Sequence, residues 1–127
     1  SKARLIELNG PNSSFQNAIL IEADFSRAVL VNAVFEDADL TQSTFAQAIA
    51  SGANFRRATL LDANFKDAEL RGTSFQGSDV TGANFHRALV YETDLLFARG
   101  IGAAYCLKFS QLPTQKSAPR SPQWNCP

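Results

Sequence analysis

Large apolar residues recur along this chain every five positions. Counting from Phe15 the series is Phe15, Leu20, Phe25, Leu30, Phe35, Leu40, Phe45, Ala50, Phe55, Leu60, Phe65, Leu70, Phe75, Val80, Phe85, Val90 and Leu95. Two residues before each member stands a small one, from Ser13, Ala18 and Ala23 through Ala83, Ala88, Thr93 and Ala98. No large or charged side chain enters that second series between Ser13 and Ala98. A fixed period predicts a repeat architecture in which each unit buries its apolar face against its neighbours.

The period also selects the shape. An α-helix turns about 100° per residue, so a spacing of five drifts around the cylinder and buries no constant face. A flat strand needs a period of two, and five is odd. A short extended piece followed by a corner satisfies both. The small residue and the large residue two places on point inward together, and the next two turn the chain. Asp, Asn, Gly, Arg and Gln crowd those corner positions, as in Glu36-Asp37, Arg56-Arg57, Lys66-Asp67 and Gln76-Gly77, which suits solvated turns. With corners near a right angle, four units of five close one coil of about 20 residues, and coils stack at about 4.8 Å. Phe alternates with Leu-like residues, so a 20-residue coil places Phe15, Phe35, Phe55 and Phe75 in one column and Phe25, Phe45, Phe65 and Phe85 in the opposite one. A 15-residue coil would stack Phe on Leu instead. The reading is an all-β, four-sided parallel β-helix of about four coils over 13–98, with an N-terminal cap over 1–12 and a C-terminal cap over 99–127.

The segments Ala23-Asp24-Phe25-Ser26-Arg27, Ala38-Asp39-Leu40-Thr41-Gln42, Ala53-Asn54-Phe55-Arg56-Arg57 and Ala83-Asn84-Phe85-His86-Arg87 share one form: small, Asp or Asn, Leu or Phe, then two polar residues. In this the chain resembles the pentapeptide-repeat family. The resemblance implies a right-handed, four-sided β-helix, in agreement with the periodicity, and carries no particular activity with it. Departures from the family pattern are Ala50 in a Leu slot and apolar Ile19, Val29, Val34, Ile49 and Leu89 where the family prefers Asp, Asn or Thr.

Both ends of a coil stack need cover for unpaired backbone and core faces. Register is expected to break at Asn9-Gly10-Pro11. Beyond Arg99, residues 101–110 are expected to form a short helix with Tyr105, Leu107 and Phe109 as covering side chains, and residues 111–123, with Pro113, Pro119 and Pro122, an irregular loop. Cys106 and Cys126 are the two cysteines of the chain. A disulfide between them would close a loop of about 20 residues, stabilise by roughly 3 kcal/mol and bring Trp124 onto the end of the stack; two unrelated thiols are the alternative. Family members of the thylakoid lumen or periplasm often carry a C-terminal cap with a Cys pair, and this tail is similar. The resemblance therefore implies an oxidising compartment, with the cytoplasm as the alternative if the thiols are free. The absence of Met and of a secretory leader reads as a processed chain or an excised domain.

Charge and chemistry narrow the function. The formal net charge is zero, with twelve acids and twelve bases, but residues 13–98 are mildly acidic and the ends basic, which argues against a nucleic-acid-binding surface. No apolar run is long enough to insert in a membrane. His86 is the single histidine and falls in a corner position. With Cys106 and Cys126 it matches no zinc-ligand spacing, so neither metal nor cofactor is expected. Asp39 and Asp79 share a wall through the repeat alone, Gly52, Gly72, Gly77 and Gly82 are corners rather than a phosphate loop, and Asn12-Ser13-Ser14 is a formal glycosylation sequon. No catalytic residue can be named. What rises above the background is a candidate interaction face: the outward positions Val29, Val31, Ile49, Leu89 and Tyr91, with Ile19, Ile21 and Leu61 on the wall built around Leu20. The expected function is a non-enzymatic scaffold for a protein partner, a homodimer being one form of it. The alternative, implied by relatives that imitate DNA to bind gyrase, needs a continuous anionic stripe, which Arg56, Arg57, Lys66, Arg71 and Arg87 interrupt.

Overall fold

In the extended pieces, backbone N–H and C=O groups cannot bond within their own unit, so they must reach a neighbouring coil. The computed structural model, which describes residues 2–104, shows where they go. Parallel bridges join each bridging residue to the one 20 positions on, from Arg4↔Asp24 to Asp79↔Arg99. They form four ladders, each of five residues joined by four bridges: Arg4–Asp24–Thr44–Asn64–Asn84, Asn9–Val29–Ile49–Glu69–Leu89, Ser14–Val34–Asn54–Ser74–Asp94 and Ile19–Asp39–Thr59–Asp79–Arg99. We number the corresponding walls 1 to 4. The β-structure consists of these single bridges rather than of long strands. Representative rungs are Phe25 N–H to the Thr44 carbonyl at 2.8 Å and Thr44 N–H to the Ala23 carbonyl at 2.9 Å.

Each corner is a tight turn closed by a bond such as Ala28 N–H to the Phe25 carbonyl at 3.0 Å. The third residue of every turn has positive φ, from Glu7 at 59° through Arg57 at 55° to Phe97 at 61°, the signature of a type II turn. For a non-glycine residue that conformation costs about 1–2 kcal/mol. It is tolerated here because the adjoining amides are held in the ladder: Arg27 N–H donates to the Ala46 carbonyl at 2.9 Å.

The core is made of two Phe columns meeting across the axis. Within a column the rings stack nearly parallel, with centroids 4.9–5.1 Å apart, as in Phe25–Phe45 and Phe65–Phe85. Between walls 1 and 3 they meet edge to face at 5.4–5.8 Å, as in Phe25–Phe35 and Phe75–Phe85. Both arrangements suit the aromatic quadrupole. Leu30, Leu40, Leu60 and Leu70 fill the remaining walls, and the small series, Ala23 through Ala88, is fully buried beside them. Where that series carries a hydroxyl, the group turns back on its own corner: Ser43 Oγ donates to the Leu40 carbonyl at 2.7 Å, Thr73 Oγ1 to Leu70 at 2.8 Å and Ser78 Oγ to Phe75 at 2.8 Å. Buried hydroxyls are thereby satisfied.

Two expectations about the ends change. The register does not break at Asn9-Gly10-Pro11: Arg4 and Asn9 already bridge to the second coil. The large and small slots are exchanged in that unit. Gly10 takes the central slot and Leu8 the small one, and Leu8 Cδ2 lies 3.4 Å from where a β-carbon on Gly10 would be. Pro11 and Asn12 then form an ordinary corner, with Asn12 at φ 61° and Ser13 N–H closing onto the Gly10 carbonyl at 3.2 Å. Residues 4–12 therefore wind as part of the first coil. With Arg99 included, each wall carries five bridged residues. At the other end the repeat stops at Gly100, which occupies a central slot with φ 80°. A β-carbon there would lie 2.7 Å from the backbone of Thr81. The chain leaves the coil in a 3-10 turn, Ile101–Ala103, with Ile101 and Ala104 buried. The longer helix expected over 101–110 is represented by this turn alone among the described residues; Tyr105, Leu107, Phe109, Cys106, Cys126 and Trp124 lie outside them.

The small slots have no spare volume, so Ala38→Leu and Ala63→Leu should each destabilise by about 1–3 kcal/mol through overpacking. Ala50→Leu, in a central slot whose column already holds Leu30 and Leu70, should cost less than Ala48→Leu two residues away. Denaturant midpoints rank the four variants; equal midpoints for Ala48→Leu and Ala50→Leu would refute the slot assignment.

Candidate interaction wall

The side chains on either side of an inward residue point out, so each wall displays two outward columns with one step per coil. On wall 2 these are Asn9, Val29, Ile49, Glu69, Leu89 and Pro11, Val31, Ser51, Arg71, Tyr91. Ile49 is 45% exposed, and Leu89 and Tyr91 are also open to solvent, with Val29 and Val31 half-buried beside them. Val29 and Ile49 are direct rung neighbours. Leu89 and Tyr91 are separated from them by one charged rung, in which Arg71 Nε lies 3.7 Å from Glu69 Oε1 and the guanidinium sits 5.7 Å from the Tyr91 ring centroid. Wall 2 thus reads apolar, apolar, charged, apolar from the second coil to the fifth.

The eight residues of the candidate face do not form one surface. Ile19, Ile21 and Leu61 are on wall 4, which lies on the opposite side of the stack from wall 2. Ile19 is 79% exposed, but it bridges to Asp39, and the same column continues through Thr59, Asp79 and Arg99. The apolar character of wall 4 ends with the first coil in that column.

Corner residues also stack in columns, and this pairs charges distant in sequence. Arg57 Nε reaches Asp37 Oδ1 at 2.9 Å and its Nη2 reaches Glu36. Arg87 grips both oxygens of Asp67 at 2.6 and 3.0 Å. Lys2–Glu22 at 3.7 Å and Arg27–Glu7 at 3.5 Å repeat the arrangement in the first coils. These pairs are exposed and each contributes little stability, but they interleave the acids with bases along the edges. His86 Nε2 lies 3.0 Å from Arg87 Nη1 in the same cluster. Among the described residues no group of His, Cys, Asp and Glu is arranged to hold a metal. A shallow recess of about 340 Å³ beside wall 1 is lined by polar and charged groups, including Arg4, Glu22, Asp24 and Thr44.

The Asp and Asn that precede many inward residues have a structural task. Asp24 accepts from Ser26 N–H at 2.9 Å, Asn54 from Arg56 N–H at 2.9 Å and Asp79 from Thr81 N–H at 3.1 Å and its hydroxyl at 2.6 Å. Each side chain thereby bridges its own corner. Hydrogen bonding to Ser26 holds the Asp24 carboxyl below its ordinary value, bonding to Thr81 does the same for Asp79, and bonding to Arg87 for Asp67. One outward residue escaped the sequence reading: Phe97, 75% exposed in a positive-φ corner. The only signal for it is an aromatic residue in a series otherwise polar or glycine.

A family model described as a pentapeptide repeat region matches residues 10–95. Among solved structures, the chain is similar to the pentapeptide-repeat protein Rfr23 of the cyanobacterium Cyanothece 51142, with 19% identity over 80% of this chain and 86% of that one and a TM-score of 0.67. It is similar to a pentapeptide-repeat protein of the Arabidopsis thaliana thylakoid lumen, with 25% identity over 68% of this chain and 64% of that one and a TM-score of 0.60. HetL, a pentapeptide-repeat protein involved in heterocyst differentiation regulation in Nostoc sp. strain PCC 7120, shares 20% identity over 82% of this chain and 70% of that one, with a TM-score of 0.52. No curated protein matches the chain in sequence.

The corner carboxylates predict an acid response. Asp24 and Asp79 have folded values below the ordinary 3.8, so the stability they supply is present above that value and is lost as pH falls through the lowered folded one. Asn keeps the turn-bridging oxygen, as Asn54 and Asn84 demonstrate. Asp24→Asn with Asp79→Asn should therefore leave the melting temperature at pH 7 nearly unchanged and flatten its decline as pH falls below the ordinary carboxyl value. Parallel declines for variant and parent would contradict this.

Proposed function

The chain belongs to the pentapeptide-repeat family, and we propose that it is a non-enzymatic scaffold that docks a protein on wall 2. The observation that carries the reading is the apolar surface at Val29, Val31 and Ile49, continued past one charged rung by Leu89 and Tyr91. Val29, Ile49 and Leu89 stand where the family pattern calls for Asp, Asn or Thr. Their backbone is held by ladder bonds on both sides: Ile49 N–H donates to the Ala28 carbonyl at 2.9 Å and the Ile49 carbonyl accepts from Leu30 N–H at 2.6 Å. A platform already rigid loses little entropy on binding, and a mostly apolar patch with a polar edge is the composition that protein interfaces favour.

The proposed compartment is oxidising, either a thylakoid lumen or a periplasm, with Cys106 and Cys126 joined. Support comes from the placement of both cysteines in a proline-rich C-terminal segment and from the similarity to a thylakoid-lumen protein. The pairing of Glu36 and Asp37 with Arg57, and of Asp67 with Arg87, favours this scaffold reading over imitation of DNA, because the edges alternate in sign.

Affinity capture from native extract tests the reading, comparing the parent with an Ile49→Glu, Leu89→Glu double variant. A protein held by the first and lost by the second is the expected result; identical captures would remove wall 2. The parent should not inhibit gyrase supercoiling, and inhibition would restore the DNA-like reading. Alkylation without reductant should leave both cysteines unmodified, and a mass shift from two modified thiols would argue for a reducing compartment.

A further inference from the structure

We infer that the protein docked on wall 2 is a second copy of this chain, laid side by side with the first about a two-fold axis parallel to the stack. This rests on the reading of wall 2 as a docking face and names its occupant. The argument comes from the order of charges on that wall.

Consider two copies with their second walls face to face. A two-fold axis parallel to the stack sets each coil opposite the same coil of the other copy and reverses the direction of the chain. The residue before each inward position then faces the residue after it on the partner, which is the i-to-j, j-to-i reciprocity of a two-fold interface. On wall 2 the inward positions are Gly10, Leu30, Ala50, Leu70 and Val90. Val29 therefore faces Val31 of the other copy, and Leu89 faces Tyr91. Ile49 faces Ser51. On the one charged rung Glu69 faces Arg71 and Arg71 faces Glu69, so the pair now held within one chain at 3.7 Å becomes a square of alternating charges. The corners that flank the wall agree: Arg87 comes opposite Glu92, and Arg27 opposite Asn32. No level brings like charges together.

The other ways of pairing this wall fail on the same rung. With the stacks antiparallel and centred on the fourth coil, Glu69 meets Glu69 and Arg71 meets Arg71. Centred on the third coil, Glu69 is set against Val29, and centred between the two it is set against Ile49. The first opposes like charges, and the other two desolvate the Glu69–Arg71 pair against apolar residues with no charge of the partner to repay the cost. Wall 4 offers no equivalent, since Asp39 would face Thr41 and Asp79 would face Thr81, with no base on either rung. Five rungs at about 4.8 Å, across one short extended segment, present a few hundred Å² per copy, below the roughly 800 Å² of a standard interface. The dimer is accordingly weak and concentration-dependent.

Charge exchange on the single rung tests this. Self-association of the full chain is followed by sedimentation velocity from low-micromolar to near-millimolar concentration, with circular dichroism confirming that each variant is folded. The parent should dimerise. E69R puts two cations on the rung and R71E two anions, so each alone should lose self-affinity by about a hundredfold or more. An equimolar mixture of E69R with R71E should recover the dimer, because every cation then meets an anion, and the E69R/R71E double variant should recover it alone. A parent that stays monomeric throughout overturns the proposal, as does a mixture that remains monomeric while the parent dimerises. If the parent is monomeric but the Ile49→Glu, Leu89→Glu variant still loses a captured protein, self-pairing falls and wall 2 stands as a docking face for another chain.

Discussion

Backbone hydrogen bonds between successive coils, linking groups 19 or 21 residues apart, are the constraint on which the rest of this molecule depends. A wall contributes one bridged residue per coil, too little to hold by itself, and the ladder forms only if every coil closes on the same residue count. Asp24 N–H bonds to the Ala3 carbonyl and Leu5 N–H to the Asp24 carbonyl, and that exchange recurs up each wall. A single inserted residue would move every later side chain off its column and turn inward residues outward. The repeat is therefore a requirement of closure.

The remaining features follow from meeting that count. Turning the chain every five residues forces the third residue of each corner into positive φ, whatever side chain it carries. The local cost falls on Arg27, Asp37, Arg57 and even Phe97, and is offset by ladder bonds and by side chains such as Asp24 and Asp79 that bridge the corner. Closure also fixes the interior cross-section. Two residues enter from each wall, so one of each pair must be small. Leu8 and Gly10 satisfy this in reverse order. Phe rings from walls 1 and 3 then occupy the axis, stacked along it and edge to face across it.

The same geometry converts sequence into surface. Residues 20 apart become neighbours, so Arg57 neutralises Asp37 and Arg87 neutralises Asp67, although nothing local in the chain links them. Outward columns have one member per coil, and a few substitutions can change the character of an entire wall. On wall 2 apolar residues replace the polar type at three rungs, and the exception, Glu69 with Arg71, carries both signs on one rung. That order is what gives the wall a preferred partner and direction in our proposal.

The interior was legible in the sequence because a period of five and an alternation of Phe with Leu have few geometric solutions, and each inward slot is filled by size alone. The register of residues 4–12 was not legible because reversal of Leu8 and Gly10 hides the period while preserving volume. Of the candidate face, the apolar positions were visible one by one. Only the closed coil assigned Ile19, Ile21 and Leu61 to one side and Val29, Val31, Ile49, Leu89 and Tyr91 to the other, and only it placed Arg71 over Tyr91. The sequence by itself determined the repeat, the core and the corners, since these depend on residue type at a fixed local spacing. The tertiary structure decided which surface residues are neighbours, because that depends on contacts between coils, and separation along the chain says nothing of it until the coil has closed.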